Sequence, residues 1–560
     1  MRVLCSILML CFCWQTLHGQ TLLIRGGTLI DGTGNAPISN VDILVRDGIV
    51  AEIRSGPMQP IPNGAEVLQA QGKFIIPGLI DSHVHYRDWK AELFLVHGVT
   101  TVYDLGNPYQ WQTALKKGFN TGRMRGPRYF YCGEIELPSE ESQRPSIERR
   151  GLDIIRKPED ALPIVQRLKQ NGADCIKLSE SFNGETFTAI ARAADAEGLN
   201  VISHSMNAAD SVRWGIDGIE HMVGIAVATA QSPKAKQAVA GLRLEAGHKN
   251  SSLYQWMEPA EYDRLIHELV SRGVYVNPTL AFEWKALHER SREHELEDQR
   301  LFSIPELGYV PLDDRLVILG QYHWADARSP EEIRQFKDGY RKVQQFLAAF
   351  VRAGGKIYSG TDTSAATSPG LSLHHEMELL VDAGLTPMQA IMTATKNSAD
   401  LLALSGKIGT VEKGKLADMV VLDANPLENI QNTKKIYRVI KDGRIVDTKY
   451  HADYEIPIKR PGIESKHLYN PTPTLQDVVP PIAIENSNAT LRVRGRGFTQ
   501  SSVVQLEGRT IETRFVSPAE LTAILTPETT ARVGTFRITV VTPKPGGGTS
   551  DPIEFMITFK

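Results

Sequence analysis

Two histidines separated by one residue, His83 and His85, end the first long apolar run in the middle of the chain. If that run is a strand, side chains two residues apart point to the same face, so both imidazoles can enter one site. Two convergent neutral imidazoles suit a divalent ion of the zinc type. Two surface histidines on an edge strand would have the same spacing, so the pair alone is a weak signal.

Four further polar residues interrupt apolar runs at their carboxyl ends. Lys177 lies in ADCIKL, His204 ends NVISH, His221 lies in GIEHM, and Asp362 ends GKIYSGTD. Each alone has an ordinary explanation, such as a helix cap for His204 or Asp362, or a lysine whose amine reaches solvent. Their shared position at strand ends, together with the histidine pair, predicts one polar site.

Short apolar runs alternate with helix-like segments through the middle of the chain. Segments such as PEDALPIVQRLKQNG have apolar residues every three to four positions and a glycine where they end. This alternation predicts a (β/α)8 TIM barrel over residues 75–405, with its active site at the carboxyl ends of the strands. A doubly wound open sheet is the alternative, which the lack of an early GxGxxG motif disfavours. The runs are 74–85, 99–105, 128–135, 173–178, 200–204, 218–222, 273–279 and 355–362.

Alternating strand patterns flank this middle segment on both sides. Residues 41–53 and 436–446 each predict a hairpin with Asp-Gly at the turn. Strands at both ends of a long middle segment predict one composite small β-sandwich domain, built from residues 20–74 and 406–452.

The composition changes again after the second flank. A proline-rich stretch predicts a linker over residues 453–478, and short strand patterns with no helical pattern predict an immunoglobulin-like β-sandwich over 479–560. Within the barrel region, residues 286–340 are charged and helix-rich. We interpret them as a cap over the barrel mouth or, alternatively, as a solvated insert.

The composition is that of an ordinary globular chain. The 560 residues carry a formal net charge of -3, with 42% hydrophobic and 23% charged residues, which gives no reason to expect nucleic acid as a partner. Residues 1–19 have a positive start and a short apolar stretch, which predict a signal peptide and a secreted or periplasmic protein. No internal run reaches the roughly 18 apolar residues of a stable membrane span. Of the five cysteines, Cys132 and Cys175 would remain, and we expect buried free thiols, with one bridge as the alternative.

The sequence resembles the amidohydrolase superfamily of metal-dependent hydrolases, in its imidazolonepropionase-like and Xaa-Pro dipeptidase-like branch. The resemblance spans about residues 22–450 and lies in PGLIDSHVH, HGVTTVYDLG, GADCIKL, GIEHM, SGTDT and IGTVEKGKLADMVVLDANPL. The C-terminal strands resemble an IPT/TIG domain in LRVRGRGF, SVVQLEG and GGGTSDPIEFMI.

The resemblance implies a site for two divalent metal ions, expected to be zinc. It assigns one ion to His83, His85 and Asp362, and the other to His204 and His221. Lys177 would be N6-carboxylated and would bridge the ions, since a carbamate is an anionic oxygen ligand whereas an ordinary lysine, with a pKa of about 10.4, is a cation. One zinc ion beside an uncarboxylated Lys177 is the alternative. Asp362 would also be the catalytic residue that moves the proton.

The function implied is that of an exported enzyme that hydrolyses an amide or peptide-like C–N bond with a metal-activated hydroxide. The substrate would be a small molecule such as a dipeptide, an N-acyl amino acid or a lactam. The alternatives are a deaminase of an aminated heterocycle, which typically lacks the lysine, and a lactone or phosphotriester hydrolase. A non-catalytic scaffold is a further class, against which the complete ligand set argues.

Substrate contacts are harder to assign from the sequence. Candidates are Arg87, which follows the histidine pair at the same two-residue spacing, Tyr103 at the end of the second strand, and His374 in the helix after the eighth. For Arg87 the alternative is an interdomain ion pair. The loop 136–150 could also contact substrate, whereas Met206 stands where dipeptidases of this branch often have a tyrosine. The C-terminal domain could mediate a homo-oligomer, or contact glycan or a surface.

Overall fold

The computed structural model describes residues 21–137, 152–179, 182–246, 251–363, 366–460, 470–543 and 547–560. The predicted signal peptide and most of the predicted substrate loop at 136–150 lie outside the described residues. Within those ranges, none of the helices has the length and apolar character needed to cross a bilayer.

Five strands near the start of the chain contribute to a small sheet, in which Asp47-Gly48 forms the turn between β2 and β3. These strands are β1 (Thr21–Leu29), β2 (Ile38–Arg46), β3 (Ile49–Ser55), β4 (Glu66–Gln69) and β5 (Phe74–Pro77). The predicted first barrel run, residues 74–85, is therefore divided, because β5 pairs with β1 in this sheet. The division falls at Gly78, where a Cβ would lie 2.2 Å from Thr100 Oγ1.

Eight parallel strands, each paired with the next along the chain, form the sheet that carries the site, and the short strand β9 pairs with β8 at its side. The backbone N–H of Ser82 donates to the carbonyl of Ser359 at 2.9 Å, which connects the first strand to the residues just after the eighth. The predicted TIM-barrel-like arrangement is confirmed. The strands are β6 (Leu79–Val84), β7 (Val99–Asp104), β8 (Arg128–Glu136), β9 (Asp153–Ile154), β10 (Cys175–Leu178), β11 (Asn200–Ser203), β12 (Gly218–Glu220), β13 (Tyr275–Asn277) and β14 (Lys356–Ile357).

Helices follow most of these strands, and their apolar faces share one large core with the outer faces of the strands. The α-helices are α1 (Ala91–Val96), α2 (Tyr109–Asn120), α3 (Ala161–Gln170), α4 (Gly184–Ala196), α5 (Ala208–Trp214), α6 (Val223–Thr229), α7 (Pro233–Ala246), α8 (Tyr262–Ser271), α9 (Leu280–Glu283), α10 (Ser291–Phe302), α11 (Leu312–Gly320), α12 (Pro330–Arg352), α13 (Leu371–Asp382), α14 (Pro387–Thr393) and α15 (Lys396–Leu401). Short 3₁₀ segments are Pro158–Asp160, Ser251–Trp256, Pro259–Glu261, Pro305–Tyr309, Gln321–Ala327 and Ile430–Lys434.

The small sheet is completed by strands from beyond the barrel, β15 (Met419–Leu422), β16 (Ile436–Lys441) and β17 (Arg444–Val446). β15 pairs antiparallel with β5, so strands from both flanks of the barrel lie in one sheet. Residues such as Leu22 and Val421 are fully buried in its core.

Two C-terminal sheets pack on a shared core that includes Leu491, Val504 and Phe555. The first strand, β18, overlaps residues 474–478 of the predicted linker 453–478 and pairs with β20. The strands are β18 (Thr474–Val479), β19 (Ile482–Ile484), β20 (Ala489–Arg496), β21 (Val503–Leu506), β22 (Arg509–Thr510), β23 (Glu512–Ser517), β24 (Glu520–Leu525), β25 (Gly534–Thr542), β26 (Gly548–Thr549) and β27 (Ile553–Thr558).

A disulfide links Cys132 and Cys175, which corrects the expectation of free thiols. The two cysteines are register partners on β8 and β10, a proximity that an apolar sequence context cannot reveal. Both are buried in a cluster inside the barrel, together with Ile80 and Tyr358.

Replacing both cysteines by alanine is expected to lower the free energy of unfolding by about 2–4 kcal/mol, because the bond restricts the unfolded chain across a separation of 43 residues. The thermal unfolding midpoint should fall by several degrees. Reductant should lower the midpoint of the natural chain and leave that of the double variant unchanged; equal midpoints without reductant would contradict the prediction.

Candidate metal centre

His83 is held in one orientation by a buried glutamate. Its Nδ1 lies 2.6 Å from Glu220 Oε2, and Glu220 also accepts hydrogen bonds from the Tyr358 hydroxyl at 2.6 Å and from Asn277 Nδ2 at 2.7 Å. The other ring nitrogen, Nε2, is buried and has no hydrogen-bond partner in the described part of the chain; Asp362 Oδ1 lies 3.8 Å away. A carboxylate behind one nitrogen and a bare, buried second nitrogen are the arrangement of a metal-ligating histidine.

Four more of the predicted ligands surround this nitrogen. Asp362 Oδ1 lies 3.3 Å from His85 Nε2, and Asp362 Oδ2 lies 3.8 Å from His221 Nε2. The ring centroids of His204 and His221 are 4.9 Å apart. Ligand atoms of His83, His204 and His221 lie within 4.8 Å of one another, as do those of His83, His85 and Asp362. Two ligand groups that share His83 therefore lie side by side.

Lys177 lies on β10 and is only 2% exposed. It is the register partner of Glu134 on β8, so both side chains point to the same face of the sheet. Burial is the main cause that lowers the pKa of His221 to about 3, and the neighbouring His83 and Lys177 act in the same direction. Lys177 is thus within electrostatic reach of the cluster, and His221 is held as the neutral imidazole that binds metals.

Left-handed backbone conformations orient the side chains of two of the candidate ligands. His221 and Asp362 have φ angles of 62° and 45°, and Thr279, whose hydroxyl lies 2.7 Å from His221 Nδ1, has 47°. Such left-handed conformations cost roughly 1–3 kcal/mol each in non-glycine residues and concentrate at functional sites. Gly360 allows the eighth strand end to approach, since a Cβ there would lie 2.4 Å from His83 Cβ.

Hydrogen bonds tie the first and eighth strand ends together beside the ligands. Asp81 Oδ1 accepts from the Thr361 backbone N–H at 3.0 Å, and Asp81 Oδ2 accepts from the Thr361 hydroxyl at 2.7 Å. Burial raises the pKa of Asp81 to about 7. Burial would also raise the pKa of Asp362, but the imidazoles of His83 and His85 hold it well below its usual range, so this carboxyl stays ionised.

Sequence reasoning missed the residues that support the ligands. Glu220 directly precedes His221 and is a charged residue in an otherwise apolar strand. A buried charge of this kind is a sequence signal that could have identified it as a supporting residue. Asp81 carried the same signal. Glu134 also faces the cluster, because a Cβ at Gly106 would lie 2.7 Å from His85 Nδ1 and 3.4 Å from Glu134 Oε2.

Two of the predicted substrate residues are not at this site. Tyr103 is fully buried in the barrel interior, where its ring stacks on Phe130 with centroids 5.1 Å apart. His374 uses both ring nitrogens elsewhere, with Nδ1 2.9 Å from Thr433 Oγ1 and Nε2 2.9 Å from the carbonyl oxygen of His97. Both rings are fully buried, and the substrate role of these two residues stays a prediction.

The third, Arg87, forms an ion pair, its Nη1 lying 3.8 Å from Asp314 Oδ1. Asp314 belongs to α11, inside the segment 286–340. Since this segment buries residues such as Leu307 and Val310 and reaches the loop after the histidine pair, it is packed on the barrel rather than solvated.

Part of the chain is similar in sequence to one protein family. Residues 179–446 match the sequence model of the amidohydrolase family. The matched range includes His204, His221 and Asp362, whereas the remaining predicted ligands precede it.

Individual relatives of the chain match over limited lengths. The dihydroorotase of Trichlorobacter lovleyi is 45% identical over 69 residues, 12% of this chain and 16% of its own length. The enamidase of Eubacterium barkeri is 25% identical over 186 residues, 27% of this chain and 48% of its own length. The chain spans only 14% of the length of the first curated relatives that it matches. The structure of a Xaa-Pro dipeptidase has the same fold, with a TM-score of 0.55 at 21% identity, over 76% of this chain and all of the other.

Replacing Glu220 by glutamine is expected to weaken metal binding about 10- to 100-fold, because the carboxylate that orients His83 and raises its basicity is lost. Titration of the metal-free protein with zinc would measure this. Glu378→Gln is a matched control, since Glu378 is also a buried glutamate 3.1 Å from a histidine, His294. Equal zinc affinity in the two variants would contradict the assigned role of Glu220.

Proposed function

We propose that this chain is an exported metal-dependent amidohydrolase that cleaves an amide or peptide-like C–N bond of a small substrate. The observation that carries the proposal is the convergence of three imidazoles and Asp362 around the bare, buried Nε2 of His83. The hydrolases among its relatives and structural neighbours support the reaction class.

The donor set fits divalent metal ions. Nitrogen from neutral imidazole and oxygen from carboxylate are the ligands that zinc accepts. Bound there, such ions supply an activated water at neutral pH and polarise the carbonyl group to be attacked. Lys177 contributes as a ligand if its amine carries a carboxylate, which would place an anion among the imidazoles instead of a competing cation.

Asp362 is also the residue that transfers the proton. Its carboxylate lies against His85 and His221 and is held in the ionised form, so it can accept a proton from the attacking water. The same oxygen then donates that proton to the leaving nitrogen, which departs as an amine.

Export and the identity of the C-terminal domain are further parts of the proposal. Export is supported by the apolar N-terminal stretch and by the Cys132–Cys175 disulfide, since such bonds persist in oxidising compartments. The strand pattern of the C-terminal sandwich supports an IPT/TIG-like domain.

The test is a substrate screen on purified protein of measured metal content. Dipeptides, N-acyl amino acids and lactams should be hydrolysed, activity should disappear with a chelator, and zinc should restore it. Ammonia release from aminated heterocycles alone would favour a deaminase, and turnover of lactones or phosphotriesters alone would favour that class. A chain that binds less than about one metal ion, with no divalent ion restoring activity, would refute the proposal.

A further inference from the structure

The C-terminal sandwich contacts the segment 286–340 at a glycine. Asn470 Nδ2 donates to the carbonyl oxygen of Gly308 at 2.6 Å and to that of Pro543 at 2.9 Å, and Asn470 is only 4% exposed. A Cβ at Gly308 would lie 2.2 Å from the Ser501 side chain and 2.9 Å from Pro543 Cγ. The backbone at Gly308 therefore lies against the side chains of Ser501 and Pro543 at a distance that only glycine allows.

The turn that contains Gly308 is bound to helix α11. Arg315 Nε donates to the carbonyl of Val310 at 2.9 Å, and a second nitrogen of the same guanidinium donates to the carbonyl of Leu307. Arg315 is buried, as are Leu307 and Val310. The turn and the start of the helix thus move as one unit.

This unit is connected to the loop that follows the histidine pair. Asp314, next to Arg315, accepts a hydrogen bond from Trp89 Nε1 at 3.0 Å. The hydroxyl of Tyr309, next to Gly308, donates to Glu92 Oε2 at 3.1 Å. Trp89 and Glu92 are both buried, so residues 86–92 are held at two points by the unit that carries the sandwich.

The same loop continues to the metal ligands. Lys90 is 1% exposed, and its ammonium donates to the carbonyl of His85 at 2.8 Å and to that of Thr363. Thr363 directly follows Asp362. Lys90 therefore connects residues 86–92 to both strand ends that bear the candidate ligands.

We infer that the C-terminal β-sandwich positions residues 86–92 at the edge of the metal centre through Gly308, and that substrate binding depends on this contact. The inference rests on the proposed function for its substrate, but not for the mechanical connection. The connection runs through the turn at Gly308 and residues 86–92, so its effect is on the geometry of the mouth.

The test uses the full, metal-loaded chain with Gly308→Ala, whose new methyl group collides with Ser501. Hydrogen exchange should rise in residues 305–315 and also in 86–92, while metal content stays constant. For a substrate found by the screen, KM should rise roughly 2- to 30-fold with little change in kcat. Asn470→Ala, which removes the hydrogen bonds without a collision, should act in the same direction.

Two controls make the result specific. Gly320→Ala lies at the end of α11, where a Cβ meets nothing within 4 Å, and it should change neither exchange nor KM. Adding Ser501→Gly to Gly308→Ala should restore most of the natural exchange and KM, because it removes the nearer of the two colliding side chains, at 2.2 Å against 2.9 Å for Pro543. The inference would be overturned if hydrogen exchange rose in residues 305–315 but not in 86–92. It would also be overturned if adding Ser501→Gly did not lower the raised exchange. A failed substrate screen would instead count against the proposed function, and the exchange data would still decide the connection.

Discussion

Replacing Asp362 by asparagine is expected to lower kcat at least about a hundredfold, the usual scale for loss of a general base. Asparagine keeps the volume and one oxygen of the side chain but cannot take a proton from water. KM should change much less, because the imidazoles and the surrounding loops are unaltered. Steady-state rates at saturating zinc, together with the metal content of each preparation, measure the effect.

Asp382→Asn is the control for this experiment. Asp382, at the end of helix α13, is also held by a basic side chain, with its Oδ2 2.6 Å from Arg290 Nε, but it lies outside the ligand cluster. It should keep the full rate. If Asp362→Asn with a full complement of metal kept its activity, the proton transfer assigned to Asp362 would be wrong, whereas a slow variant that had lost its metal would show only a ligand role.

The position of the site could be predicted because it follows from topology. Carboxyl ends of parallel strands meet at one edge of a barrel, so polar residues at those ends must approach one another. His83, His204 and Asp362 come from strands far apart in sequence, yet the structure brings them together. The TIM-barrel-like fold follows from the same alternation of strands and helices.

Contacts between strands could not be predicted in this way. The pairing of Cys132 with Cys175 depends on the register of β8 and β10, which apolar runs do not specify. The same holds for Glu220, whose partner His83 is 137 residues away. The position of a residue on a strand also does not show how deeply its side chain is buried: Tyr103 lies on a barrel strand and is fully buried in the core.

Substitution of Lys177 is also expected to have a large effect, since the chemical form of this side chain decides whether the site holds one metal ion or two. If the amine is carboxylated, Lys177→Arg should remove a ligand and place a permanent cation beside the imidazoles. Metal content should fall from about two ions per chain to about one, as in a two-metal site that has lost its bridge. The rate should fall on the order of 10²-fold, the scale for loss of one electrostatic contact at the reacting atoms.

Lys177→Glu separates the two chemical forms. It supplies a carboxylate of its own, so for a carbamate it should retain more metal and more activity than Lys177→Arg. For an ammonium the order should be reversed, because arginine keeps the positive charge and glutamate inverts it. Intact-protein mass spectrometry under mild conditions would detect the added CO2 on the natural chain. Retention of full activity by Lys177→Arg would exclude the bridging role, because a guanidinium has no oxygen with which to bind a metal.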